Sequence, residues 1–432
     1  MKRDPRALET ALVRLERQDL KRTRSTVQSF TDPGGRVVTM DAAANGSVIA
    51  DASASARAAA SRPGVAGAGR RLVDFSSNDY LALSRHPGVA AAMAASAEHW
   101  GAGSGASHLV TGHGVEHARL EEELAEFTGR ERALLFSTGY MANLAAVTSL
   151  AGHGEWVLLD RLSHASLIDA GLLSGARFSR YPHADAAAAE RALARESAKV
   201  AVVATDGVFS MDGDLAPLAA LARASAAHRA WLVVDDAHGL GVLGDSGRGT
   251  LELLGLSADE APVLVGTLGK AFGSFGAFVA GTSDLIEFLI QKARPYIYTT
   301  ALPQPVAAAT RASLRVAQRE TWRRERVMAL TARFRESAMQ LGVPLGASMT
   351  PIQPVMLGNS RAALRAQREL MESGFWVVAI RPPTVPRGSA RLRVTLSAAH
   401  TEAQVDSLVE TLARVCARAA SVPAAASAGA EP

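Results

Sequence analysis

The sequence predicts an α/β fold in which a mostly parallel sheet is covered by helices on both faces. From about 72 to 301, short β-prone apolar runs alternate with helical stretches, a pattern typical of buried parallel strands joined by helices. Polar residues follow the ends of these runs, where open α/β sheets place their ligands. The predicted strands are ALLFS at 133–137, WVLLD at 156–160, VAVVAT at 200–205, WLVVDD at 231–236 and VLVGT at 263–267.

A smaller α+β domain is predicted at 302–418, after a large domain at 72–301. A long helical stretch reaches about 341, and strand-like runs and a final helix at about 401–418 follow it. Mixed elements after a finished sheet favour a separate domain. The tail at 419–432 should be loose, as chain ends often are. The strand-like runs of this domain are PVML at 354–357, WVVAI at 376–380 and RLRVTL at 391–396.

The segment 1–71 is expected to hold one helix and an insertion. Leucines at near-helical spacing from Pro5 to about Arg24 predict an amphipathic helix that packs on a larger body. The stretch 41–69 is rich in Ala, Gly and Ser and has few large apolar side chains, so little of it can be buried. We expect an exposed or disordered insertion there.

Composition argues against several classes of protein. The 46 basic and 42 acidic residues are scattered along the chain, whereas nucleic-acid binding needs clustered charge. The single cysteine, Cys416, cannot form an internal disulfide, and no Cys/His cluster offers a metal site. The start of the chain lacks the apolar region of a signal peptide, and no uninterrupted apolar run is long enough to span a membrane. These features predict a soluble cytoplasmic protein.

Lys270 stands in the segment VGTLGKAFGSFGAF, directly after a predicted buried strand. A lysine usually lies on a solvated surface, but the small apolar neighbours make a sequestered amine plausible here. Desolvation lowers a lysine pKa and makes the neutral amine available for Schiff-base formation.

Asp235 and Asp236 end another predicted buried strand, and His238 follows it, in WLVVDDAHGLG. Adjacent acids often only end a strand or cap a helix. An acid in this place, about 35 residues before a glycine-flanked lysine, also fits a pyridoxal phosphate (PLP) site, in which an aspartate pairs with the pyridinium nitrogen. We therefore predict that Lys270 and Asp235 serve one cofactor.

A phosphate site is expected where FSTGYMANLAA passes from strand to helix. Free backbone N–H groups near Gly139 and Tyr140 could bind a phosphate, although many such turns look alike. Thr267 could add a hydroxyl group to the same phosphate. His164, in DRLSHASL, could be either a cofactor contact or an ordinary loop histidine.

At this point the sequence resembles the α-oxoamine synthases, which are fold-type I PLP-dependent transferases. The resemblance runs from about 72 to 414 and is weaker in the first helix. Seven motifs in order carry it: FSSNDYLAL at 75–83, GAGSGASHLVTGHGVEHARLEEELAEFTG at 101–129, DRLSHASL at 160–167, TDGVFSMDGDLAPL at 205–218, VDDAHGLGVLG at 234–244, TLGKAFG at 267–273 and IRPPTVPRGSARLRVTLSAAHT at 380–401.

The resemblance implies a role for each matching residue. Lys270 would bond to the cofactor and move the proton at the substrate Cα, Asp235 would pair with the pyridinium nitrogen, and His164 would stack on the ring. His238 and Ser210 would bond the phenolic oxygen, with the phosphate served by Gly139, Tyr140 and Thr267. The amino-acid carboxylate would be held by Arg393 and Asn78, and the acyl substrate would be contacted by Arg22 and Thr384. His164 would contact substrate as well as the cofactor.

The resemblance also implies an activity. The motifs look most like those of members that condense L-alanine with a pimeloyl thioester, carried by acyl-carrier protein or coenzyme A, in biotin biosynthesis. Such enzymes form homodimers. A glycine-using synthase is the rival. Asp206 does not decide the substrate, because some members have glutamate at this position and glycine-using members also have aspartate there. A catalytically silent relative is disfavoured because Lys270, Asp235, His164, His238 and Arg393 are all present.

Overall fold

The computed structural model describes residues 5–32, 36–40, 70–196 and 200–420. The predicted insertion at 41–69 and almost all of the predicted loose tail lie outside these residues. Within them the strands are β1 (Val27–Phe30), β2 (Val37–Met40), β3 (Arg70–Asp74), β4 (Arg132–Phe136), β5 (Trp156–Asp160), β6 (Arg177–Tyr181), β7 (Val200–Asp206), β8 (Trp231–Asp235), β9 (Val263–Thr267), β10 (Ala277–Gly281), β11 (Ile352–Gly358), β12 (Phe375–Trp376), β13 (Val378–Ile380) and β14 (Ala390–Thr395).

The helices alternate with these strands through most of the chain. A single π-helical turn at His108–Gly112 also occurs. The α-helices of the described residues are α1 (Pro5–Arg17), α2 (Pro87–Trp100), α3 (Val115–Thr128), α4 (Gly139–Leu150), α5 (Ala165–Leu173), α6 (Ala186–Glu196), α7 (Leu218–Ala227), α8 (Thr250–Leu253), α9 (Ser283–Lys292), α10 (Arg294–Ile297), α11 (Gln304–Arg319), α12 (Trp322–Gln340), α13 (Ser360–Glu372) and α14 (Glu402–Ala420).

The larger of two compact units comprises Asn78–Ala329 and Ala347–Ile352. Its sheet has the order β4-β10-β9-β8-β7-β5-β6. The pairs from β9 to β6 are parallel, and β10 runs antiparallel to both of its neighbours. The predicted α/β fold class with a mostly parallel sheet is therefore confirmed.

Alternate residues of each central strand pack against helices on opposite faces of this sheet. In β5, Val157 and Leu159 join a buried cluster with residues of α4, α5 and α9. Leu158 points the other way and joins a cluster with residues of α6 and α7. This two-sided burial explains why the strands are apolar along their whole length.

The described residues of the smaller unit are 5–32, 36–40, 70–77, Leu330–Gly346 and 353–420. It contains a sheet of order β1-β2-β3-β12 and a second sheet of order β11-β14-β13. The N-terminal and C-terminal parts of the chain meet in this unit, since β3 pairs in parallel with β12. The domain bounds predicted from the sequence stay a prediction, because compactness alone does not show which segments fold or move independently.

Three predicted elements differ in detail. The helix expected to reach about Arg24 ends at Arg17, because Asp19 adopts a left-handed conformation and the Leu20 N–H bonds back to the Leu15 carbonyl. The helical stretch at 302–341 is two helices, α11 and α12. The single strand expected at 376–380 is divided between β12 and β13, which pair with different strands.

Candidate active site

Lys270 lies on the connection between β9 and the antiparallel β10. This connection is tied by hydrogen bonds from the Leu268 N–H to the Gly276 carbonyl and from the Ser274 N–H to the Leu268 carbonyl. Lys270 Nζ is 2.8 Å from His238 Nε2. The lysine is therefore in direct contact with one of the residues predicted to share its cofactor.

Gly273 allows this connection to pass close to another loop. Its φ is +58°, a conformation that favours glycine. A Cβ at this position would lie 2.1 Å from the Ser84 backbone nitrogen, so no side chain fits. The close approach holds the loop that carries Lys270 against residues 83–84.

Asp235 ends β8, and its carboxylate is buried. Oδ1 accepts a hydrogen bond from the Ala237 N–H at 3.0 Å, and Oδ2 accepts one from Asn143 Nδ2 at 2.6 Å. Both donors favour a fixed carboxylate orientation. The remaining lone pairs of the two oxygens can take a further N–H donor.

His238 follows Asp235 on the same turn and also contacts Tyr80. The Tyr80 hydroxyl is 2.7 Å from His238 Nδ1, and Tyr80 itself is fully buried. Since one ring nitrogen faces Tyr80 and the other faces Lys270, the ring is held at both ends. Tyr80 was not predicted as a site residue, although it lies within the motif FSSNDYLAL.

Asp236 has a structural environment that differs from that of Asp235. It is completely buried and accepts a hydrogen bond from the Thr250 N–H at 2.7 Å. Burial raises its pKa to about 7. A Cβ added to Gly239 or Gly249 would lie about 2 Å from an Asp236 carboxylate oxygen, so the loop closes tightly over this acid. The second of the adjacent acids therefore stabilises the loop.

His164 precedes α5, after the end of β5, and is joined to Asp235 through two side chains that the sequence did not single out. Asn143 Nδ2 donates both to Asp235 and to Ser166 Oγ, the latter at 2.8 Å. Ser166 Oγ is 2.7 Å from His164 Nδ1. A sequence signal for Asn143 exists, because it is a polar residue among small apolar ones on the buried face of α4.

Asp206 ends β7 directly opposite Asp235 in the strand register. Its carboxylate accepts a hydrogen bond from the His164 backbone N–H at 2.9 Å. Burial, and then the charge of Asp235, raise the pKa of Asp206 well above its ordinary value. Asp206 thus favours the neutral form of its carboxyl group and also holds the loop of His164.

The predicted phosphate residues follow the ends of two strands. Gly139 begins α4, which Thr138 caps by accepting a hydrogen bond from the Met141 N–H. A Cβ at Gly139 would meet no atom within 4 Å, so the approach to this helix start is open. The Tyr140 hydroxyl bonds the Asp169 carboxylate, which raises the pKa of Tyr140. Thr267 ends β9, and its hydroxyl donates to the Gly276 carbonyl at 3.2 Å.

Ser210 lies in the loop that follows β7. A bridge between Val208 and Leu215 closes this loop, and the Phe209 N–H bonds the Asp214 carbonyl. Since β4 and β9 both run antiparallel to β10, β4 has the direction of the parallel strands. The predicted cofactor residues of this unit therefore all lie at the carboxyl edge of one sheet, the edge that open α/β sheets use for ligands.

Asn78 also belongs to the larger unit, and its Oδ1 is 3.4 Å from the Tyr80 hydroxyl. Arg22, Thr384 and Arg393, which are also predicted to bind substrates, belong to the smaller unit. Arg22 Nη2 donates to Thr384 Oγ1 at 2.9 Å, so the two residues predicted to contact the acyl substrate meet each other. Arg393 is buried on β14 and donates from Nη1 to Thr395 Oγ1 at 3.0 Å.

A cavity of about 800 Å³ lies elsewhere in the larger unit. Its lining includes Trp231, which begins β8, and Ala151, Gly152 and Glu155, which precede β5. It is therefore at the amino edge of the strands and contains none of the predicted site residues. Among the described residues, no group of three or more His, Cys, Asp or Glu side chains is placed to hold a metal ion. No described helix is long and apolar enough to cross a membrane.

Comparison with known proteins identifies the class of this fold and site. A family model described as aminotransferase class I and II matches residues 70–412. The chain belongs to this family. It is 63% identical over 345 residues to 8-amino-7-oxononanoate synthase of Methylococcus capsulatus, which covers 80% of this chain and 89% of that protein. It is 64% identical over 345 residues to the enzyme of the same name from Stutzerimonas stutzeri, covering 80% of this chain and 88% of that one.

Solved structures agree with these relatives. The crystal structure of 8-amino-7-oxononanoate synthase from Francisella tularensis is 32% identical, with a TM-score of 0.71 over 80% of this chain and 98% of that chain. A serine palmitoyltransferase from S. paucimobilis with a bound PLP–myriocin aldimine is 28% identical, with a TM-score of 0.85 over 97% of this chain and 100% of that one. The resemblance and the fold type expected from the sequence are confirmed.

The side chains at the carboxyl edge fit PLP. The Lys270 amine lies 2.8 Å from the His238 imidazole, and the buried carboxylate of Asp235 is oriented by two N–H donors. An open helix start can receive a phosphate. An amine, a carboxylate and a helix start complement the aldehyde, the pyridinium nitrogen and the phosphate of this cofactor.

Proposed function

We propose that the chain catalyses the decarboxylative condensation of L-alanine with a pimeloyl thioester. The products are 8-amino-7-oxononanoate, CO₂ and the free thiol carrier, and the step belongs to biotin biosynthesis. The observation that carries the proposal is the contact of Lys270 with His238 beside the buried carboxylate of Asp235. The high identity to synthases of this name supports the choice of reaction.

PLP is the cofactor of this chain. When bound, it supplies an electron sink for the carbanion that forms at the substrate Cα. Lys270 would hold it covalently, and Asp235 would bond the pyridinium nitrogen. The other residues proposed to hold it are His164 at the ring, His238 and Ser210 at the phenolic oxygen, and Gly139, Tyr140 and Thr267 at the phosphate.

Lys270 has the position and the chemistry to move the proton at the substrate Cα. Its amine ends a side chain that is only partly exposed, and the neighbouring His238 ring can exchange a hydrogen bond with it at 2.8 Å. Proton transfer by a positioned side chain typically contributes about 10² to 10⁴ in rate. Lys270 is therefore proposed to act both as cofactor ligand and as acid–base group.

Substrate positioning is assigned to other residues. Arg393 and Asn78 are proposed to bind the carboxylate of the amino acid, since a guanidinium group forms paired hydrogen bonds with carboxylates. Arg22 and Thr384, which are hydrogen-bonded to each other, are proposed to contact the acyl substrate.

The test is a product assay with L-alanine or glycine, each paired with pimeloyl-, acetyl- or succinyl-thioester at matched concentration. Each methylene buried by a long acyl pocket contributes about 0.8 kcal/mol, so short acyl groups should react poorly. The choice between alanine and glycine should be weaker, because one methyl group typically separates substrates by about 1–3 kcal/mol. A higher kcat/KM for glycine with acetyl- or succinyl-CoA would instead identify a glycine-using synthase.

We also propose that the chain forms a homodimer and uses coenzyme A or acyl-carrier protein as the acyl carrier. Support for a dimer comes from large apolar side chains that stay exposed in the larger unit, among them Val110 and Tyr298, each exposed by more than 70%. Light scattering of the purified protein tests the dimer. A cytoplasmic location stays a prediction based on the single cysteine.

A further inference from the structure

The side chain of Asn143 can be oriented in only one favourable way. A carboxylate only accepts hydrogen bonds, so the atom 2.6 Å from Asp235 Oδ2 must be the amide nitrogen. The reversed amide would set Oδ1 against the carboxylate. Asn143 is buried, and its Oδ1 has no hydrogen-bond partner among the described residues. The amide is therefore held through its two N–H donors.

The second N–H of this amide sets the direction of the next hydrogen bond. It donates to Ser166 Oγ at 2.8 Å, so one lone pair of that oxygen is occupied. The Ser166 hydroxyl proton can then be donated to His164 Nδ1, which lies 2.7 Å from Oγ. Ser166 is completely buried, so this hydroxyl cannot turn to water.

A separate donor confirms which nitrogen of His164 is the acceptor. The backbone N–H of Ser166 also donates to His164 Nδ1, at 3.2 Å. An N–H group needs a lone pair to bond, so Nδ1 carries no proton when this contact is made. The proton of a neutral His164 ring must then be on Nε2.

We propose that Asn143 and Ser166 are positioning residues that transmit the hydrogen-bond direction from Asp235 to His164 and hold His164 as the neutral tautomer with its proton on Nε2. The hydrogen-bonded series runs from Asp235 through Asn143 and Ser166 to His164. Asn143 donates to Asp235 and to Ser166, and the Ser166 hydroxyl group donates to His164. The two groups that the proposed function places on the cofactor ring are thereby coupled in the protein itself.

The charged groups around His164 oppose one another. Desolvation by the surrounding protein lowers the pKa of His164, Asp235 and Asp169 raise it, and Lys270 lowers it again. The net direction is downward, which favours the neutral ring. The hydrogen-bond chain then selects between the two neutral tautomers, a choice that these charges alone do not make.

The consequence for the reaction rests on the proposed function. An Nε2 proton gives His164 a hydrogen-bond donor that can face a bound amino acid, while Nδ1 is occupied by Ser166. The opposite tautomer would present a lone pair there and would repel a substrate carboxylate. Loss of the tautomer protonated on Nε2 should therefore raise the KM for alanine before it lowers kcat.

The test uses ¹⁵N-histidine-labelled apoprotein, so its outcome is independent of any catalytic activity. Nitrogen chemical shifts distinguish a bare Nδ1 from a protonated one, and His164→Gln assigns the signal. In the parent protein we expect His164 Nε2 protonated and Nδ1 bare at neutral pH. A signal from an Nδ1-protonated ring would overturn the proposal, whatever reaction the protein catalyses.

Three variants test the individual links. Ser166→Ala should change the ratio of the two tautomers by roughly fivefold, the worth of one ordinary hydrogen bond, and move the titration of His164 to higher pH. Ser166→Thr keeps the hydroxyl and should resemble the parent. Asn143→Leu should shift the ratio in the same direction as Ser166→Ala. If the His164 signals of folded Asn143→Leu match the parent, Asn143 does not transmit the direction; should this variant not fold, an unchanged signal in Ser166→Ala is the contradicting result.

Discussion

At the scale of single residues, Asp235 and Asp236 show how two adjacent acids acquire different roles. Successive residues at a strand end point in opposite directions. The side chain of Asp235 meets Asn143 and keeps lone pairs available, whereas Asp236 is enclosed by the loop that contains Thr250. The burial that raises the pKa of Asp236 to about 7 also removes it from any ligand.

We expect Asp235→Asn to lower turnover by roughly 100-fold or more, since it removes the charge that faces the cofactor. The fold should persist, because the amide of Asn143 can turn its unused oxygen toward the new side chain. Product formation measures the first effect and the midpoint of thermal unfolding measures the second. Asp236→Ala is the contrast, because the Thr250 N–H would lose its acceptor and the unfolding midpoint should fall. If the turnover of Asp235→Asn stays within a few-fold of the parent value, Asp235 does not bind the cofactor.

At the scale of elements, the connection between β9 and β10 depends on one glycine. A methyl group at Gly273 would meet the backbone of Ser84 and would also disfavour the left-handed conformation. We expect Gly273→Ala to lower the free energy of unfolding by at least about 2 kcal/mol, from overpacking and backbone strain together. Urea unfolding measures the loss.

Gly269→Ala is the matched control for this prediction. It lies in the same connection, but the nearest atom to an added Cβ is the Ser274 carbonyl oxygen at 3.6 Å, an ordinary contact. This variant should unfold near the parent midpoint. If both substitutions lower the free energy of unfolding equally, the whole connection tolerates no added methyl group. The close approach at Gly273 would then not explain the loss of stability.

A second element, the loop of Ser210, is tied to its neighbour by His183. His183 Nδ1 is 3.0 Å from Asp160 at the end of β5, and Nε2 is 2.8 Å from Asp214 in the Ser210 loop. Desolvation lowers the pKa of His183, but hydrogen bonds to the two carboxylates outweigh it and raise the pKa to about 10. The ring is therefore a charged link between two loops at the carboxyl edge.

This link should make stability depend on pH. Because the folded pKa lies above the unfolded value of 6.5, the contribution is fully present below about pH 6.5 and is lost as the pH rises toward 10. The free energy of unfolding of the parent should therefore fall relative to that of His183→Gln across this window. A difference between the two proteins that stays constant from pH 6 to pH 10 would show that His183 is not held in its charged form.

At the scale of the whole molecule, the proposed substrate residues belong to both compact units. Replacing Arg393 with Ala should raise the KM for alanine roughly tenfold to a hundredfold, as expected for a lost hydrogen bond to a charged group, and leave the visible absorption of the bound cofactor intact.

Thr395→Val is the control for Arg393→Ala. It removes the hydrogen bond between Arg393 and Thr395 but keeps the charge of Arg393. The KM for alanine should stay close to the parent value. If both variants raise the KM equally, Arg393 acts by stabilising its own unit and the carboxylate is bound elsewhere.

Much of this architecture could be predicted because the strands are apolar on both faces. The five predicted strands of the larger unit correspond to β4, β5, β7, β8 and β9. The edge strand β6 was missed because half-exposed RFSRY lacks the apolar continuity of a buried strand. Likewise β10 was missed because its short run AFVAG follows a glycine-rich connection.

The candidate site was predictable to the extent that it follows the strand ends. Two motifs at the ends of predicted strands contain Lys270, Asp235 and His238. Asn143 and Ser166 were missed because their importance depends on which helix face meets the sheet and on hydrogen-bond directions across the chain. The local sequence shows Asn143 as a polar residue among small apolar ones, but it shows neither of these two properties.

The antiparallel β10 has a consequence for the dynamics of the lysine. Because β10 pairs with both β4 and β9, the segment that carries Lys270 begins and ends inside the central sheet. Amides at Leu268 and Ser274, which bond across this segment, should exchange with deuterium only through rare, large openings of the sheet. The apoprotein would then present its amine in a nearly rigid frame, so that cofactor capture requires little ordering of the chain around Lys270.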